Sequence, residues 1–73
     1  MKISLQTDSE QAAIETMVGY LGEDSRDQAA FMVGLAWYCT VKGTTGDIPV
    51  VTKTPTGAEV AVIYQDGQYT ISQ

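Results

Sequence analysis

The fold is decided by residues 59–72, which read EVAVIYQDGQYTIS. Asp66-Gly67 lies at the centre of this stretch and is the pair favoured in a two-residue type I′ turn, where both central residues need positive φ. The turn predicts a β-hairpin with strands at about 58–65 and 68–72, in which Tyr64 lies opposite Tyr69. Side chains alternate along a strand, so the predicted core face consists of Val60, Val62, Tyr64, Tyr69 and Ile71.

The segments that precede the hairpin predict one further strand and two helices. Residues 48–54 read as a strand, and Thr54-Pro55-Thr56-Gly57 has the residue pattern of a type I turn. Apolar residues spaced as on one helical face predict helix 1 at about 8–21, and helix 2 is expected at about 26–41. Thr7 and Glu10, and again Ser25 and Gln28, have the spacing of a capping box.

These elements predict a single α+β domain over residues 1–73. A two-helix hairpin packs on a three-stranded antiparallel β-meander, which gives two layers. Residues 2–5 alternate between polar and apolar side chains and predict a possible short strand at one edge of the sheet.

Composition excludes several classes of function. The 73 residues include no His and one Cys, and 9 acidic residues outnumber 4 basic ones, for a formal charge of -5. A lone Cys39 cannot form an intramolecular disulfide, and without His the commonest general base and zinc ligand are missing. We therefore expect no catalytic residues, no metal site and no cofactor. The negative charge argues against direct nucleic-acid binding.

The sequence contains no recognisable targeting signal. The first residues have no signal-peptide pattern. The longest apolar run, residues 29–39, is far shorter than the ~20 residues of a membrane helix. We expect a cytoplasmic protein that does not bind membranes.

Helix 2 is apolar around most of its circumference. At 100° per residue, Phe31, Leu35 and Tyr38 are predicted on one side, whereas the other side holds Ala30, Val33, Trp37 and Val41. A lone domain of this size offers little to cover both sides. The pattern predicts a homodimer, with interface residues Trp37, Tyr38, Phe31 and Val33. Trp37 is the first choice as anchor, since Trp is favoured at interfaces.

Acidic residues gather in the predicted helical layer, where residues 1–40 carry six acidic and two basic side chains. Glu23, Asp24 and Asp27 fall between and at the start of the helices, where capping or solvation accounts for them better than catalysis. They can also dock on a basic site of a partner. The leading hypothesis is therefore a small acidic, non-catalytic interaction protein that binds and inhibits a macromolecular partner, as small phage-encoded inhibitors do. No motif identifies a family.

A second hypothesis is a ligand-binding or sequestering homo-oligomer. Its aromatic-lined pocket would lie between subunits and include Tyr64 and Tyr69. The loop at residues 42–47 would add polar groups from Thr44 and Thr45, because such loops can bind anions through backbone N–H groups.

Overall fold

The computed structural model describes residues 2–42 and 49–73. Strand β1 (Ile3–Thr7) is followed by helix α1 (Glu10–Leu21), a single 3₁₀ turn (Glu23–Ser25) and helix α2 (Arg26–Val41). Strands β2 (Val50–Lys53), β3 (Glu59–Gln65) and β4 (Gln68–Ser72) complete the chain. In the described ranges, neither helix is long and apolar enough to cross a membrane.

The strands form one antiparallel sheet in the order β1-β4-β3-β2. The two helices pack on it, which confirms the predicted α+β class. The three C-terminal strands form the predicted meander, and the possible N-terminal strand is present as the fourth, edge strand. Its outer end is held to β4 by a pair of 2.8 Å backbone hydrogen bonds between Lys2 and Gln73.

The β3–β4 hairpin has the predicted register. Gln65 lies opposite Gln68 and Tyr64 opposite Tyr69. Asp66 and Gly67 have φ values of 55° and 79°, as a type I′ turn requires. Four residues of the predicted core face are buried, and Tyr64 packs partly buried against them. The preceding turn is also confirmed, because the Gly57 N–H donates to the Thr54 carbonyl at 2.9 Å.

The core lies between the sheet and the helices. Helix α1 contributes Met17 and helix α2 contributes Val33, both with no exposed surface. The other buried members of the core are Ala13, Val18, Leu21, Ala29, Met32, Ala36, Val60, Val62, Tyr69 and Ile71. Polar bonds add to this packing: the Thr40 hydroxyl donates to the Tyr64 carbonyl at 2.8 Å, which ties the end of α2 to β3.

The predicted capping boxes are wrong in detail. Helix α1 begins at Glu10 rather than at residue 8, and its N-cap is Ser9, whose hydroxyl accepts from the Ala12 N–H at 3.1 Å. Thr7 is still part of β1, and its hydroxyl accepts from the Ser9 N–H instead. At α2, Ser25 makes no side-chain cap bond, since a 3₁₀ turn leads directly into the helix.

Element boundaries elsewhere agree closely with the prediction. Helix α1 stops before Gly22, whose φ of 101° ends the helical path. Helix α2 ends at Val41, as predicted. Strand β2 is shorter than predicted: it covers Val50–Lys53, and Ile48, the first residue of the predicted strand, lies outside the described residues.

Candidate interaction surface on helix 2

One side of α2 packs on the rest of the domain. Its buried residues are Ala29, Met32, Val33 and Ala36, which recur at helical spacing on the side that faces the core. Val33 is completely buried. Its predicted place at a protein interface is therefore wrong, because the side chain fills the space between α2 and the sheet and presents no surface to a partner.

The opposite side of α2 is apolar and exposed. Phe31 is 67% exposed, Tyr38 58%, Val41 49% and Trp37 39%. Ala30, next to Phe31, and Gly34, between Phe31 and Trp37, are also exposed. We call this set of six residues the apolar face of α2. Large aromatic side chains that are exposed together are uncommon on a monomer and typical of a contact surface.

The structure answers what the sequence left open, namely which part of the helix circumference packs on the domain. Phe31 and Tyr38 were predicted on one side of the helix and Trp37 and Val41 on another, and all four are exposed. Of the residues in the two predicted groups, Val33 is the one that is completely buried. The small side chains of Ala29 and Ala36 are buried on the side of α2 that packs on the domain.

Among the described residues, no contact requires glycine at position 34, which lies at the middle of the apolar face. A Cβ atom built on this residue meets nothing within 4 Å, and its backbone is ordinary α-helix. A glycine inside a helix costs about 0.5–1 kcal/mol relative to alanine. The sequence prediction placed Ala30 and Val41 on an apolar side of helix 2 but named neither of them, nor Gly34, as an interface residue. The signal was their recurrence at positions 30, 34, 37 and 41, a single line along the helix.

The acidic residues near the start of α2 are only partly available to a partner. Arg26 binds two carboxylates at once: its guanidinium donates to Glu15 on α1 at 2.5 and 3.1 Å and to Glu23 at 2.7 and 3.1 Å. These hydrogen bonds lower the pKa of both carboxyls below their ordinary value, and the two carboxylates raise the pKa of Arg26. Glu23, a predicted interface residue, is therefore already paired.

Asp24 and Asp27 remain as exposed carboxylates at the same end of α2. Within the described part of the chain, neither forms an ion pair or a side-chain hydrogen bond. Asp27 lies in the first turn of α2, where a negative charge is stabilised by the helix dipole. Of the three predicted acidic contact residues, these two can meet a positive partner without first breaking an existing pair.

Two of the four residues proposed for a ligand pocket lie in the described part of the chain. The rings of Tyr64 and Tyr69 are 4.8 Å apart and tilted by 58°, an aromatic pair in which Tyr69 is buried and Tyr64 packs partly buried against the core. Burial raises the pKa of the Tyr69 hydroxyl, and the charge of Glu10 adds to the shift. Thr44 and Thr45 lie outside the described residues. The described ranges contain no pocket and no cluster of metal-binding side chains.

Comparisons with known proteins add no further constraint. The chain matches no protein-family model, and no curated protein or solved structure is significantly similar to it. The proposed function is therefore based on the exposed apolar face of α2.

Proposed function

We propose that this chain is a non-catalytic interaction protein that acts as a homodimer and inhibits a macromolecular partner by covering its surface. The observation that carries the proposal is the apolar face of α2. Phe31 and Tyr38 are more than half exposed although the core beneath them is closed. Solvent exposure of these rings is unfavourable, and a partner that covers them recovers the free energy of burial.

The size of the apolar face fits a small, reversible interface. Burying a whole aromatic side chain removes roughly 150–250 Å² from water, so the exposed fractions of Phe31, Trp37 and Tyr38 offer roughly 330 Å² per subunit. Two copies would bury roughly twice this area, and Ala30, Val41 and the residues at the rim add to it. The aromatic rings alone would then contribute roughly 660 Å², about half of the lower limit of specific interfaces, which is about 1,200 Å². We therefore expect a dissociation constant in the micromolar range.

The acidic end of α2 supports the inhibitory part of the proposal. Asp24 and Asp27 are exposed, and the chain carries a net charge of -5. An acidic surface steers association with a basic site and competes there with nucleic acid. The proposed partner is therefore a protein with a basic surface, and the protein is a blocker of that site, as phage inhibitors of host systems are. We place its action in the cytoplasm, where the free thiol of Cys39 stays reduced.

Measurement of molar mass against concentration tests the homodimer. Sedimentation equilibrium should show a monomer at low micromolar and a dimer at high micromolar concentration. The double variant Phe31→Ser/Tyr38→Ser should stay monomeric with an unchanged circular dichroism spectrum. Val51→Ser is the matched control, because Val51 is 48% exposed on the sheet rather than on α2. A wild-type monomer at high micromolar concentration would contradict the proposal, as would equal loss of dimer in both variants.

Affinity capture from the native cell tests the partner. A protein retained by the wild type and released by moderate salt or by Asp24→Lys would support recognition of a basic surface. Retention that depends on neither salt nor Asp24 would refute it. A small molecule that raises the melting temperature in a ligand screen would favour the sequestering oligomer instead.

A further inference from the structure

The apolar face of α2 ends in opposite charges. Asp27 lies seven residues before Gly34, and Lys42 caps the helix eight residues after it. Both side chains are exposed, and in the described ranges neither belongs to an ion pair. Between the two charges the exposed side of the helix carries Ala30, Phe31, Gly34, Trp37, Tyr38 and Val41 and no charged residue.

These residues follow one line along the helix. Seven residues make almost two turns, so Asp27 and Val41 each lie about 20° from Gly34 when viewed down the axis, and the three residues span about 40°. Phe31 and Tyr38 flank the line on one side, three residues before and four residues after Gly34. Phe31 and Tyr38 are therefore placed nearly symmetrically about Gly34, and the two ends of the surface carry opposite charges.

We propose that α2 packs against α2 of a second copy in antiparallel orientation, with the two-fold axis passing beside Gly34. This inference rests on the proposed homodimer and gives its geometry. Phe31 of each copy then meets Tyr38 of the other, so the aromatic contact is made twice. Asp27 of each copy meets Lys42 of the other, which leaves Asp24 as the unpaired carboxylate for the basic surface of a further partner. A two-fold interface requires such self-complementarity, since the same patch is used by both subunits.

Charge favours this orientation over the parallel one. Glu23, Asp24 and Asp27 lie at the N-terminal end of α2 and Lys42 at its C-terminal end. Parallel helices would bring two acidic ends together in a molecule that already carries a charge of -5. Antiparallel helices place each acidic end beside the partner's lysine, and they place the positive N-terminal end of each helix dipole beside the negative C-terminal end of the other.

The glycine favours a helix as the occupant of the face. Gly34 lies where the two helix axes would be nearest, and a residue without a side chain lets backbones approach closely. In residues 2–42 and 49–73 no contact requires this glycine, since a Cβ atom there meets none of their atoms within 4 Å. A second copy of α2 gives the residue a structural role that the isolated subunit does not.

A charge-reversal cycle tests the arrangement. Asp27→Lys and Lys42→Asp are made singly and together, and the dimer dissociation constant of each is measured by sedimentation equilibrium at low salt. Each single change turns two attractive contacts into two repulsive ones, so we expect about tenfold weaker association for both. The double variant restores opposite charges across the interface and should return to within about threefold of the wild type.

Net charge makes the cycle decisive. Asp27→Lys makes the chain less negative and Lys42→Asp makes it more negative, whereas the double variant keeps the wild-type charge of -5. General repulsion would therefore strengthen association of Asp27→Lys. That result, or a double variant as weak as the single ones, would overturn the antiparallel arrangement while leaving the homodimer standing. A wild-type protein that never dimerises would instead remove the homodimer itself.

Discussion

Replacement of the two interior helix glycines by alanine should separate the stability of the subunit from its association. Gly34 in α2 and Gly19 in α1 are both exposed, and a Cβ atom at either meets nothing within 4 Å. Alanine at each position should stabilise the folded subunit by about 0.5–1 kcal/mol, because glycine leaves more backbone freedom in the unfolded chain. For a domain of this size, the melting temperature should rise by about 2–8 °C.

The two variants should differ in association. Gly34 lies at the centre of the apolar face, whereas Gly19 lies four residues after Glu15 on the exposed side of α1. A methyl group added to both subunits at a close helix crossing costs about 1–3 kcal/mol in overpacking. We therefore expect Gly34→Ala to raise the dimer dissociation constant about 5- to 150-fold, and Gly19→Ala to leave it unchanged.

The assay combines two measurements on each variant. Thermal unfolding at low micromolar concentration reports the subunit, and sedimentation equilibrium at higher concentration reports the dimer. Equal dissociation constants for Gly34→Ala and Gly19→Ala would refute the close approach at Gly34. A lower melting temperature for Gly34→Ala would mean that the residue has a role inside the subunit.

Two further predictions concern the subunit itself. Ser9→Ala should destabilise the protein by about 1 kcal/mol in urea unfolding, because it removes the N-cap hydrogen bond of α1. Ser25→Ala removes no such bond and should change the stability by less than half as much. Equal losses of stability in the two variants would contradict the assignment of Ser9 as the cap. Arg26 lowers the pKa of Glu15, so the pair's stabilisation should be complete above the ordinary carboxyl pKa of 4.5 and lost as the pH falls through the lowered value. Urea midpoints at a series of acidic pH values should therefore fall less steeply for Arg26→Gln than for the wild type. Identical slopes would show that the Arg26–Glu15 ion pair does not stabilise the folded protein in solution.

The hairpin was predictable because two independent signals agree there. Asp66-Gly67 set the turn, and the alternation of Val60 and Val62 set the buried face, so a register error would have exposed both valines. The N-cap of α1 was less predictable. Thr7, Asp8 and Ser9 are all of residue types that can cap a helix. Strand β1 includes Thr7 and so excludes it as the cap, and the structure shows that Ser9 rather than Asp8 takes this position.

The candidate surface was predictable in kind and not in detail. An apolar circumference around α2 implies that something covers it, but Phe31 and Val33 are equally apolar in sequence. Only the packed structure shows that Val33 is buried and Phe31 exposed. Likewise, the acidic residues are visible in sequence, whereas the neutralisation of Glu23 by Arg26 depends on the turn between the helices.

The pairing of β1 with β4 has a consequence for the order in which the domain assembles. Residues 3 and 72 are paired, so the loop that this pairing closes includes both helices, β2 and β3 and is entropically the most costly of the sheet. Because synthesis runs from the N-terminus, β1 is made before β4. The β1–β4 pairing, and with it the edge of the sheet, can therefore form only after the helices, β2 and β3 have been synthesised.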